Sequence, residues 1–390
     1  INVSLDSEKL DIEKVRKIIP EQYATYIDDY NIKGNTDVKL SYSQKNNQEA
    51  IINLDFIATN FHAQKDGIEL ENASFSGAYA SQQNRVEIID LKGLLNKDEI
   101  KVDVELINFD DPKIKLALKT NIDLSELAKY KVEIPLHKLK GSATINLKYN
   151  GKVGLKNNYE YDISMAEKEA EIVFKNLVIQ QEPNSLSLYD GFANLKLTNE
   201  LLKADSVSFS MAQQSKLYFN GAFDNLFKYL FLKNAPLRIA GDIRSDWILV
   251  DELLSTDSTA TNTEDAQKII LPNDIIASLN IDLTDLSYDK FHMRNFNTKL
   301  TYSNKLLKVK KIRFETMSGV ISGNLSVQQL ENENIRIISS SKMDKINVRQ
   351  LFYEFHNFGQ QTMRHKHLRG IINSEIYFRN EWGPYFNTLE

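Results

Sequence analysis

Six histidines are the side chains of this sequence best suited to chemistry: His62, His137, His292, His356, His365 and His367. In His365-Lys366-His367 two imidazoles stand two positions apart, which on a strand puts both on one face as a pair of metal ligands. A metal site also needs further ligands and the hydrogen bonds that orient them. The sequence offers no companions, so the pair reads as a solvated basic edge and no metal is expected. There is no cysteine, which excludes disulfides, thiolate nucleophiles and Cys-ligated zinc but leaves the compartment open. A nucleophile elbow, a P-loop, an H-E-x-x-H pair and a dinucleotide fingerprint are all missing. Carboxylates are plentiful, yet they alternate with lysines and threonines as on the wet face of a sheet. No pair is arranged for acid–base work, so the expectation is a protein that is not an enzyme and carries no cofactor.

Composition narrows the class further. The 390 residues are 42% apolar and 26% charged, with both signs interspersed and a net charge of −5. That excludes a disordered chain and gives no basic footprint for nucleic acid. No stretch approaches 18 apolar residues, so no helix is expected to span a bilayer. The sequence opens on Ile1 in mid-pattern, which reads as a fragment whose N-terminal segment, with any anchor, has been cut away.

The elements that would position side chains are strands. Lys138-Leu-Lys-Gly-Ser-Ala-Thr-Ile-Asn-Leu-Lys-Tyr-Asn150 alternates strictly from Ser142, the period of a strand with one dry and one wet face. The phrase returns around Gly34, Gly241 and Gly370, with Gly141 as its own glycine. A second phrase supports a repeat of about a hundred residues. Gly191-Phe-Ala-Asn-Leu-Lys-Leu197 leads to Leu201-Leu-Lys203, and Asn295-Phe-Asn-Thr-Lys-Leu300 leads to Leu306-Leu-Lys308, at offsets of 104 (295 minus 191) and 105 (306 minus 201). Between the runs stand turn residues such as Asp66-Gly67 and Asn96-Lys97-Asp98.

Helices are expected over 7–30, with Asp6 or Ser7 as cap and Pro20 opening a second piece through Tyr23, Tyr26, Ile27 and Tyr30. Short ones are expected at 123–130 and 224–231, and another near 346–356, where Phe352, Tyr353, Phe355 and Phe358 would form a plug or lid. Residues 255–267 are polar and of low complexity and read as a mobile loop. They divide a first part of the array, 1–254, from a last part, 268–390.

About twenty strands, wet on one side, predict a mostly β, elongated antiparallel sheet that repeats and curls into a groove with an apolar concave face. That face must be covered. Either a second sheet closes over it as a sandwich, or something apolar that is not protein fills it, such as acyl chains. The inward members of the clearest strands are the candidate lining: Val102, Val104, Leu106, Ile114, Leu116, Leu118, Ile145, Leu147, Leu195, Leu197, Val207 and Phe209. A sugar-binding repeat would place aromatics on the exposed face, whereas most tyrosines and phenylalanines here fall in phase with the aliphatics.

The segment Asn347–Ile376 resembles the C-terminal region of AsmA-like proteins of the Bacteroidetes type. The residues that carry the resemblance are Leu351-Phe-Tyr-Glu-Phe-His-Asn-Phe-Gly-Gln360, then Leu368-Arg-Gly370 and the alternating strand after it. Phe352, Phe355, Asn357, Phe358, Gly359 and Gln360 match the family signature. The resemblance implies a periplasmic repeated β-groove, similar in style to TamB and YhdP and held to the inner membrane by an N-terminal helix. It implies a carrier of phospholipid between inner and outer membrane, with phospholipid or another acyl-chain lipid and envelope proteins as partners. The alternative is a structural or assembly module of the envelope, a closed β-sandwich array that binds protein partners and no lipid.

Overall fold

The computed structural model describes residues 1–17, 27–45, 48–130, 136–152, 159–180, 187–211, 215–251 and 269–385. The chain is mostly β, 69% strand and 12% helix. Nineteen strands, β1 (Asn2–Asp11) to β19 (Ile371–Trp382), join in one open sheet with a few short helices, as the alternation predicts. The chain divides into two compact units: Ile1–Pro135 with Leu139–Lys175 and Leu195–Glu200, and Leu136–Lys138 with Asn176–Asn194 and Leu201–Glu390.

In the first unit β1 is followed by β2 (Lys33–Ser43), β3 (Ile51–Lys65), β4 (Ile68–Ala80), β5 (Arg85–Leu95), β6 (Asp98–Ile107), β7 (Lys113–Asp123) and β8 (Lys138–Lys152), each antiparallel to the next. The expected helix over 7–30 needs correcting. Val3, Leu5 and Ser7 lie opposite Tyr42, Leu40 and Val38 in a strand pair, and helix starts only at Ile12. Eight paired positions with β2 outweigh the helical spacing of Leu10 and Val15. The cap is Asp11, whose Oδ1 accepts from the Glu13 N–H at 3.0 Å, and not Asp6 or Ser7. Pro20, Tyr23 and Tyr26 lie outside the described residues. The turn expected at 123–130 is a 3₁₀ helix, Leu124–Tyr130, started by Asp123, whose Oδ1 takes the Ser125 N–H at 2.9 Å.

The second unit runs through β11 (Leu201–Met211), β12 (Ser215–Asp224), β13 (Leu237–Leu249), β14 (Ile275–Tyr288), β15 (Phe291–Ser303), β16 (Leu306–Thr316), β17 (Gly319–Gln329), β18 (Ile335–Asn347) and β19. Every pair with a register among these is antiparallel except β13–β14, which is parallel from Leu237 opposite Ile275 to Leu249 opposite Ser287. A parallel return needs a connection of a dozen or more residues. The stretch between Leu249 and Ile275, which contains the polar run 255–267, supplies that length; the run itself lies outside the described residues.

Regular alternation is broken at bulges. Lys9, Asn60, Asn72, Asp90, Asn295, Lys311 and Lys345 sit inside strands with φ between 50° and 58°, and the register slips at each. Four of these amides find a partner on the next strand: Lys9 donates to Asp37 Oδ1 at 2.7 Å, Asp90 to Asp103 at 2.7 Å, Lys311 to Asn324 at 3.1 Å and Lys345 to Asn373 at 2.7 Å. The extra residue would otherwise leave an amide unpaired.

The repeat is visible in the backbone. Asp190 and Asn295 are left-handed, as are Asn199 and Asn304 just before the two Leu-Leu-Lys runs, both pairs 105 apart by subtraction. Of the four glycines in the opening phrase, Gly34, Gly141 and Gly370 share φ of 119–129°. Gly241 does not belong with them: it stands opposite Gly221 across β12–β13, their Cα region so close that a Cβ on either would strike backbone at 2.4 Å.

Candidate functional site

On the first unit the strand registers align apolar side chains into rows. Leu40, Leu54, Tyr79, Val86, Leu106 and Ile114 are successive partners across β2 to β7. The next row runs Val38, Phe56, Gly77, Ile88, Val104, Leu116 and Tyr149. A third holds Leu91, Val102, Leu118 and Leu147. Eight of the twelve expected lining residues, Val102, Val104, Leu106, Ile114, Leu116, Leu118, Ile145 and Leu147, are thus brought to one continuous face of β6–β8. All eight remain half-buried. Val207 and Phe209 stand in the second unit opposite Phe219 and Leu217. Leu195 and Leu197 are on β10 (Ser187–Thr198), and Leu197 is buried at 8% exposure.

Among the described residues of this face, none of the eight side chains on β6–β8 is buried. At the bulged ends of β3–β6 its own side chains fill the space. There Phe75 packs against Phe61 at 5.0 Å and Phe56 at 6.1 Å, over Ala58, Ala73 and Leu91. Glycine lets the larger rings lie flat: a Cβ on Gly77 would fall 2.3 Å from the Phe56 ring. The opposite face is a charge ladder. Arg85 Nε and Lys115 Nζ reach Glu105 at 2.6 and 2.8 Å, and the bond from Lys115, then that from Arg85, holds the Glu105 carboxyl below its ordinary range.

The second unit carries a similar row, Leu279, Leu300, Val309 and Leu325, which then meets Ser339 on β18 and Phe378 on β19. After β18 the chain forms the helix Val348–Glu354, capped by Asn347 Oδ1, which accepts from the Arg349 and Gln350 amides at 3.0 and 3.2 Å. His356, Asn357, Phe358 and Gly359 follow, all left-handed. This turn gathers the aromatic side chains of the segment. Phe358 meets Phe352 at 5.1 Å and stacks on Phe355 at 5.6 Å, Phe355 reaches Phe291 at 5.8 Å, and Asn357 Oδ1 accepts the His365 amide at 2.7 Å. His356 is paired with Asp289 of the β14–β15 hairpin, and that bond holds the Asp289 carboxyl below its ordinary range. The expected plug is therefore a latched aromatic turn.

His365 and His367 do not share a strand face. They belong to a 3₁₀ turn, in which the Arg364 N–H points to His367 Nδ1 at 3.4 Å. Three features escaped the sequence reading. His62, Glu69 and Glu71 bring ligand atoms within 4.8 Å of one another through the β3–β4 pairing. Lys168, 3% exposed, donates to the carbonyls of Ile163, Ser164 and Ala166 at 2.6–3.1 Å and so caps the end of the helix Tyr159–Met165. Glu354 is partly buried, and that burial raises its carboxyl pKa against the bonds from His292 and Thr316. The histidine–carboxylate group and the Glu354 surroundings are assembled across strands and leave no local pattern in the sequence, whereas the Lys168 cap is local, reaching carbonyls two to five residues upstream. Among the described residues no helix is long and apolar enough to cross a membrane. No family model matches the chain, and neither a curated protein nor a solved structure does.

Proposed function

We propose that the apolar face of β1–β8 holds the acyl chains of a lipid, phospholipid being the first candidate. One observation carries the reading: rows of aliphatic side chains run in register across successive strands, half-exposed, with charges confined to the other face. Burial of each methylene is worth about 0.8 kcal/mol wherever on such a face it falls. The rows of β2–β8 named above carry no charged side chain, and their tyrosine hydroxyls, Tyr79 and Tyr149, are few, so a chain can slide along them, which suits transport more than storage. The resemblance to AsmA-like proteins, with its periplasmic location, inner-membrane anchor and traffic toward the outer membrane, belongs to this proposal. Protein partners in place of lipid are the competing outcome.

The test is mass spectrometry of an organic extract of the purified protein, beside a soluble β-protein in the same buffer. Stoichiometric phospholipid is expected, and Leu116→Asp should lower it at least tenfold, since a carboxylate among Val104, Ile88 and Tyr149 must be solvated. Absence of lipid, or full retention by a folded Leu116→Asp variant, overturns the reading.

A further inference from the structure

The turn 348–370 carries a positive balance of charge. It holds Arg349, Arg364, Lys366 and Arg369 against the single carboxylate of Glu354, a net of +3 by subtraction, on a chain whose total is −5. All four cations are exposed, and none forms an ion pair among the described residues. Arg364 is held outward by Gln361, Nη2 to Oε1 at 2.7 Å and Nε to the carbonyl at 3.1 Å. Among these cations stand Tyr353, Phe355, Phe358 and Met363, each 44–56% exposed.

The backbone pays conformational strain to present them. His356 and Phe358 adopt φ of 50° and 54°, the left-handed region that side-chain-bearing residues seldom occupy. Three anchors hold the turn there: the His356–Asp289 pair, the Asn357–His365 bond and the packing of Phe355 on Phe291. Phe358 packs on Phe352 and Phe355 and still keeps 56% of its surface exposed.

From this geometry we infer that the turn is a docking tip for an anionic membrane surface: the aromatic rings enter the interfacial layer and the surrounding cations meet phosphate headgroups. Aromatic and long apolar side chains rimmed by lysine and arginine are what that layer accepts. The charge complementarity and the exposure of the rings favour a lipid surface over a protein groove. The inference concerns a site separate from the apolar face and can fail without it.

The experiment is flotation of the whole chain with vesicles of phosphatidylcholine alone or mixed with phosphatidylglycerol. Binding to the mixed vesicles only is expected, falling as salt rises. Lys366→Ala and Arg369→Ala should each weaken it about fivefold; both residues are exposed, so the fold should stand. Phe358→Ser should weaken it too, while extractable lipid is unchanged. Leu116→Asp should leave flotation intact. Equal binding to neutral vesicles, no binding to either, or undiminished binding by the cation variants overturns the tip. Loss of flotation in Leu116→Asp would place vesicle attachment on the apolar face and also overturn it.

Discussion

The face of β6–β8 and the turn 348–370 both leave large apolar side chains in contact with solvent, but they do so among different neighbours. On the face, Val104 has Ile88 and Leu116 as its cross-strand partners, and Leu118 has Val102 and Leu147. Charge is kept to the reverse side, where Arg85 and Lys115 pair with Glu105 and Arg85 also with Glu87. In the turn, Phe358 and Met363 share one short segment with Arg364 and Lys366. An extended field of aliphatics without charged landmarks gives adhesion without position. A few rings set among cations give position and sign. Exposed hydrophobicity is thus one quantity with two uses, and the arrangement of charge separates them.

The largest effect on stability should come from side chains that neither region uses. Ile346, 0% exposed at the base of the turn opposite Ile372, should cost about 2–5 kcal/mol as Ile346→Ala. Leu147→Ala on the apolar face removes fewer contacts and should cost about 1 kcal/mol. Urea unfolding of the two variants measures the contrast. Equal losses would mean that the face is packed like a core, and the comparison would break there.

Next in size is the turn itself. Asn357→Ala removes the acceptor of the His365 amide and places a Cβ residue without amide compensation at φ of 56°. A loss of about 1–2 kcal/mol is expected, confined to the tip. Hydrogen exchange should accelerate at His365 and leave β6–β8 protected as before. Asn357→Gly relieves the backbone strain but not the missing bond, and should fall between the two.

How far the sequence foretold these regions follows from how local each cause is. Val102, Val104 and Leu106 announce their strand because side chains alternate within a few residues, and their partners Leu118, Leu116 and Ile114 alternate in the same way. The phase survives only as far as the next bulge. Ile88-Ile89-Asp90-Leu91 shows the signal in retrospect: an Asx residue mid-strand, after which the apolar phase shifts by one. The N-terminal strand was misread because its partner, β2, lies beyond the helical segment that local spacing favours. The ring contacts of Phe352, Phe355 and Phe358 were implied by clustering. The left-handed run that carries Phe358 was not, since its anchors Asp289 and Phe291 are more than sixty residues upstream.

The smallest effect expected is a pH dependence at the seam between turn and sheet. Burial raises the Glu354 carboxyl above its ordinary value, and the His292 and Thr316 bonds only partly oppose this. The folded state therefore prefers the neutral acid more than the unfolded chain does. That preference is fully satisfied below the ordinary carboxylate range and is lost as pH rises through the raised value, so ionisation at neutral pH works against the folded turn. Glu354→Gln keeps the shape and an acceptor while removing the charge. It should match the wild type in acid and exceed it slightly at neutral pH, as read from thermal unfolding at the two ends of that range. A variant less stable at neutral pH would show that the carboxylate is held by its partners after all. The one negative charge of the turn would then be a structural tie, and the positive balance of the tip would be a by-product of packing.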